Sequence, residues 1–207
     1  MSLTLAGWHA PWRELSCPQG DEAVFNQLIA AWSEPQRHYH TLQHLRECLA
    51  LFDAHRGQAL HPAEVELALW FHDAFYDATR HDNEQRSADW AREALRAAGV
   101  SMEVAQRVHA LVMDTRHAEP PTAPDAQLLV DIDLAILGAP AERFDESDAQ
   151  IRREYAHVPE APWREGRSGV LRGFLQRPHI YSTAAFRAAR EHQARENLTR
   201  AIERLAR

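Results

Sequence analysis

The chain has 207 residues, 45% of them hydrophobic and 26% charged, with a formal net charge of -7. That is enough chain for a core of ordinary size, and no stretch resembles a linker, so a single domain spanning residues 1–207 is expected. All 23 basic residues are arginines, and they are scattered, which argues against the basic patch that a nucleic-acid interface needs.

The apolar spacing is helical nearly throughout. Residues 21–32 place Val24, Phe25, Leu28, Ile29 and Trp32 on one stripe, and Pro35 stops them. Residues 41–55 follow, with Thr41 as N-cap and Leu42, Leu45, Leu49 and Phe52 on the apolar face. The next helix is expected over 62–76, with Pro62 in its first turn, and another over 83–98, ended by Gly99. Ser101 caps 102–115. Pro120, Pro121 and Pro124 mark a loop, after which 126–137 reads as a buried helix ended by Gly138. Helices are expected over 144–155, 168–176 and 183–206, with Pro159 and Pro162 breaking the chain between the first two. No hairpin turn, β-branched alternation or internal repeat is present. The expected fold class is all-α, a compact bundle of about nine helices.

Cys17 and Cys48 are too few for a disulfide framework and read as thiols of a reducing compartment. The start of the chain lacks a basic stretch followed by an apolar run, and no segment approaches ~18 apolar residues. The expectation is a cytoplasmic protein with no membrane partner and no nucleic-acid partner.

Chemistry concentrates at three places. His40 and His44, in Tyr39-His-Thr-Leu-Gln-His-Leu45, would lie about one turn apart on a helix, with His44 near the buried side. His72 and Asp73 end a very apolar run, Val65 to Phe71. Neighbouring side chains diverge on a helix, so these two converge on one point only if something sits between them. A metal ion suits both, because neutral imidazole and ionised carboxylate are good ligands for divalent transition metals. Asp131 and Asp133 interrupt the apolar stretch 128–137, where a cation is the simplest way to keep a buried carboxylate ionised. Each signal has a plainer explanation: a satisfied core histidine, a capping Asp, a carboxylate paired with an arginine.

Together the order His…His-Asp…Asp resembles the HD-domain superfamily of metal-dependent phosphohydrolases, which is all-α. The segments that carry the likeness are Arg37-His-Tyr-His40, Trp70-Phe-His-Asp73, Asp82-Asn-Glu84, Asp131-Ile-Asp133, Ile151-Arg-Arg-Glu-Tyr155 and Ala194-Arg-Glu-Asn-Leu198. They are similar to a subgroup of small stand-alone predicted HD phosphohydrolases. The resemblance implies a metal held by His44, His72, Asp73 and Asp133, with Asp133 preferred over Asp131. Tyr39-His-x-x-x-His44 also resembles a segment of the cyclic-nucleotide phosphodiesterases, which implies His40 as the general acid toward the leaving oxygen. Asp73 would bridge to any second ion, and His81 and His117 are candidate extra ligands. One tightly bound divalent metal (Mn, Fe, Ni, Co, Zn or Mg) is expected, activating water for attack on a small phosphate ester such as a nucleotide.

A phosphate also needs cations. Arg37 is the first candidate for substrate binding, with Arg80, Arg116, Arg153 and Arg167 behind it. Glu84 could orient water or substrate, or simply favour a helix start. Tyr39 or Tyr76 could stack on a base. The competing expectations are a non-catalytic, metal-containing module that binds or senses a nucleotide, and a structural bundle whose buried His and Asp pair with one another.

Overall fold

The computed structural model describes residues 3–17 and 20–207, and among them the regular structure is helical only. Ten α-helices occur: α1 Leu5–Glu14, α2 Glu22–Ala31, α3 Leu42–His55, α4 Pro62–Phe71, α5 Asn83–Ala97, α6 Met102–Asp114, α7 Pro124–Asp133, α8 Ala141–Glu154, α9 Glu160–Gln176 and α10 Ala184–Leu205. The all-α expectation holds, and α1 raises the expected nine to ten. Thr4 caps α1, and Pro11 inside it masks its helical pattern in the sequence.

Five of the ten helix starts carry a side-chain cap. Asp21, Thr41, Ser101 and Thr183 each accept a backbone N–H of the first turn of the helix they precede. Pro124 and Pro162, expected to lie outside helices, fall in the first turns of α7 and α9, where a missing N–H is harmless. The chain divides into two compact units, Met1–Ile132 and Asp133–Arg207.

In the first unit α4 is the central element, because every residue from Ala63 to Phe71 is buried. That explains its lack of a polar face: a helix apolar all round belongs inside a core. Trp70 of α4 meets the Trp8 ring edge-on at 5.4 Å, and Trp8 meets Trp12 at 5.1 Å. The two acids of α4 are paired, as buried charges must be. Glu64 accepts from Arg107 at 2.6 and 2.8 Å, and Glu66 accepts from Arg56. Burial, opposed by Arg56, raises the Glu66 pKa above the ordinary carboxylate value. The start of α4 has no cap from its own chain neighbours. Asp125 of α7 pins the approach to it instead, accepting from the backbone N–H of Leu60 at 2.7 Å and of His61 at 3.1 Å.

In the second unit a 3-10 turn, Leu134–Gly138, is clasped by the segment running into α10 and by α10 itself. Tyr181 Oη donates to the Leu134 carbonyl at 3.1 Å. The buried Asn197 amide donates to the Leu137 and Ala139 carbonyls at 2.9 and 2.8 Å. Gly138 is required there, since a Cβ would stand 2.7 Å from both the Arg190 Cβ and its carbonyl oxygen. Among the described residues no helix is long and apolar enough to cross a membrane.

Candidate metal centre

The site is assembled where α3 begins and α4 ends. Thr41 caps α3 by accepting from the Gln43 N–H at 3.3 Å. His44 and Cys48 then lie one turn apart on the buried side of α3. His40 precedes the cap and stands outside the helix, contrary to the one-helix spacing expected for the pair. Its ring nevertheless lies 6.1 Å from the His44 ring and stacks on Tyr76 at 4.0 Å.

α4 ends five residues earlier than the apolar pattern predicts, with His72 as C-cap. Side chains take up carbonyls at this end and in the loop that follows, which a helix end leaves without partners. His72 Nδ1 donates to the Leu69 carbonyl at 2.7 Å, and Trp32 Nε1 donates to the Trp70 carbonyl at 3.1 Å. Arg37 donates to the carbonyls of Asp73 and Ala74 at 2.6 and 2.9 Å. Leaving the helix at His72 frees Asp73 from helical divergence and lets both side chains face one point.

That convergence is close. His44 Nε2 lies 3.1 Å from His72 Nε2, and Asp73 Oδ2 lies 3.2 Å from His72 Nε2 and 3.8 Å from His44 Nε2. Both histidines are buried, at 2% and 1% exposure. With Nδ1 committed to the Leu69 carbonyl, a neutral His72 presents its Nε2 lone pair to His44 and to a carboxylate oxygen. A cation at the shared point would accept those lone pairs together.

Asp133 is the last residue of α7, so a helix lying otherwise in the first unit carries it. One ligand atom each from His44, Cys48, His72 and Asp133 lies within 4.8 Å of the others. Such a group, with His44, Cys48 and His72 buried and Asp133 partly exposed, is compatible with a metal ion. Asp131, fully buried on the same helix, is not a member of it, and neither are Glu84, His81 and His117. Glu84 sits in the first turn of α5.

The arginines considered for phosphate binding are differently placed. Arg37 is 4% exposed and has its Nε on Glu34 at 2.9 Å besides the two loop carbonyls, so its donors are spent on the protein. Arg80 holds Asp82 through two bonds of 2.7 Å, and this pairing keeps the Asp82 carboxyl below its usual range. Arg167 is on Asp148 at 2.9 Å, while Arg116 and Arg153 are exposed.

Cys48 is the member of the group that the motif reasoning passed over. Its signal was present in the sequence, four residues after His44 on the same helical face. Compared with protein-family models, with curated proteins and with solved structures, the chain gives no match.

Proposed function

We propose that the chain is a single HD-type domain, residues 1–207, and a metal-dependent phosphohydrolase of the cytoplasm acting on a small phosphate ester, nucleotides among them. The observation that supports this reading is the convergence of His44, His72 and Asp73, within 3.1–3.8 Å of one another where α4 ends. With Asp133 these residues would hold one divalent cation. When bound, the cation supplies a Lewis acid for phosphate chemistry and lowers the pKa of water. A mixed imidazole and carboxylate donor set suits the transition metals named above.

The chain's own residues account for the rest. His40 is poised to hold the proton for the leaving oxygen, since its ring is outside the helix and fixed by stacking on Tyr76. Arg37 fixes the backbone that carries Asp73, so it sets the position of a ligand and leaves phosphate binding to other groups. Trp32 has the same task at Trp70.

The test is turnover of nucleoside mono-, di-, tri- and cyclic phosphates and of an aryl and a bis-aryl phosphate, with each metal in turn. Hydrolysis that requires metal and is lost in Asp73→Asn supports the reading. Tight nucleotide binding with no turnover under any metal overturns the enzyme in favour of a sensing module. A protein that binds no metal, with stability unaffected by a chelator, leaves only the structural pairing of buried His and Asp.

A further inference from the structure

We infer that Asn83 and Ser87, in the first two turns of α5, are positioning residues for His40, acting through the loop that carries Tyr76. The inference rests on the role proposed above for His40, as proton donor to the leaving oxygen, and names what sets its place.

The loop joins α4, which ends at Phe71, to α5, which begins at Asn83. Tyr76 stacks on the His40 ring at 4.0 Å with the planes 25° apart, and the Tyr39 ring meets His40 edge-on at 4.8 Å. The two chain neighbours of Tyr76 are each held by both backbone groups. Ser87 Oγ accepts from the Phe75 N–H at 3.0 Å and donates to the Phe75 carbonyl at 3.3 Å. Asn83 Oδ1 accepts from the Asp77 N–H at 3.2 Å, and its Nδ2 donates to the Asp77 carbonyl at 2.9 Å. Asn83 and Ser87 are one turn apart, so a single face of α5 grips the backbone on both sides of Tyr76. Arg37 holds the Asp73 and Ala74 carbonyls of the same loop.

Neither α5 side chain is used in the ordinary way. The start of α5 has no side-chain cap, yet Asn83 turns to the loop. A serine inside a helix usually bonds a carbonyl one turn back or faces water. Ser87 is fully buried and directs both donor and acceptor to Phe75.

In the proposed hydrolysis a water oxygen bonds to phosphorus, and the bond from phosphorus to the leaving oxygen breaks with its electron pair on that oxygen. The leaving oxygen takes a proton from the His40 ring, the attacking water gives one up to solvent, and His40 is reprotonated from solvent. Misplacing a reacting group by about 1 Å can cost roughly 10²-fold. A loop held at both sides of Tyr76 keeps the ring that packs on His40 from drifting by that much.

The test reads His40 first without turnover. In the full-length protein the ring current of Tyr76 should move the His40 ring protons upfield, and nuclear Overhauser contacts should join the two rings; His40→Gln identifies the signal. Tyr76→Leu should remove the upfield shift, and Ser87→Ala and Asn83→Ala should each reduce it. Turnover is then split by leaving group. A nucleoside monophosphate expels an alkoxide, which needs the proton, whereas a nitrophenyl phosphate expels a stable phenolate. In Ser87→Ala and Asn83→Ala, kcat for the nucleotide should fall about 10–100-fold with KM little changed, and the fall for the nitrophenyl ester should be smaller. Absence of the ring contacts in wild type overturns the inference and needs no variant. An unmoved His40 signal in folded Ser87→Ala and Asn83→Ala overturns it too, as does an equal loss on both substrates. A His40 signal that follows Asn83 and Ser87, in a wild type that hydrolyses no ester, upholds the positioning and overturns the proposed function instead.

Discussion

Arg37→Ala should destabilise the first unit by about 3–5 kcal/mol. The guanidinium makes two charge-assisted bonds to loop carbonyls, at 2.6 and 2.9 Å, and bonds to charged groups contribute about 1.5–3 kcal/mol each. The Glu34 partner is 40% exposed at its side chain, so that pair adds little, about 0–1 kcal/mol. Truncation also strands the Asp73 and Ala74 carbonyls, and relaxation of the loop recovers part of the loss. Urea unfolding followed by tryptophan fluorescence is the assay, since Trp32 lies 5.7 Å from the Arg37 guanidinium. The midpoint should fall with an unchanged slope. Arg37→Lys should lose roughly half as much as Arg37→Ala, because an ammonium cannot fork across two carbonyls and a carboxylate. Metal affinity should weaken by about 10–100-fold in Arg37→Ala, the usual cost of losing a residue that orients a ligand. An Arg37→Ala variant with the wild-type midpoint but a raised KM for a phosphate ester would refute this reasoning and make Arg37 the substrate clamp.

Three further outcomes follow from other parts of the structure. Zn²⁺ at a hundred times its Kd should stabilise the wild type by about 2.7 kcal/mol, and His72→Ala should abolish that gain; a variant with the same thermal shift would remove His72 from the site. Glu66 carries a raised carboxyl pKa through burial, so its contribution to stability is present below the ordinary value of 4.5 and is lost as pH rises through the folded value. Stability of Glu66→Gln minus that of wild type should therefore climb as pH increases above 4.5, and a flat difference across that window would show that the carboxyl is not perturbed. Gly138→Ala should cost about 1–3 kcal/mol by overpacking against Arg190, read as a lower thermal midpoint.

Nine of the ten helices were legible in the sequence because capping residues and stripes agree, as with Thr41 and Ser101, while α1 was not. The end of α4 was not. Its apolar run continues to Tyr76, while Trp32 and Arg37, remote in sequence, bond carbonyls at its end and in the loop beyond. Arg37 invited a phosphate-binding role for the same reason: sequence shows a charge beside a motif but not that the charge is buried and spent. Three of the expected metal ligands, His44, His72 and Asp133, fall in the four-residue group, and Asp73 lies 3.2 Å from His72. Cys48 escaped notice because one cysteine at helical spacing looks like an ordinary small core residue.

The Asp125 carboxylate on the Leu60 amide joins residues 65 apart in the chain. When the chain is made from its N-terminus, α4 is therefore complete long before the carboxylate that pins its approach exists. Until α7 is synthesised and docks, the Leu60 and His61 amides just ahead of α4 must rely on water, and the chain entering the helix that ends in His72 lacks that tie. Anchoring of that helix start is thus tied to a late-made segment. An Asp125→Ala chain would carry this immaturity into its finished state.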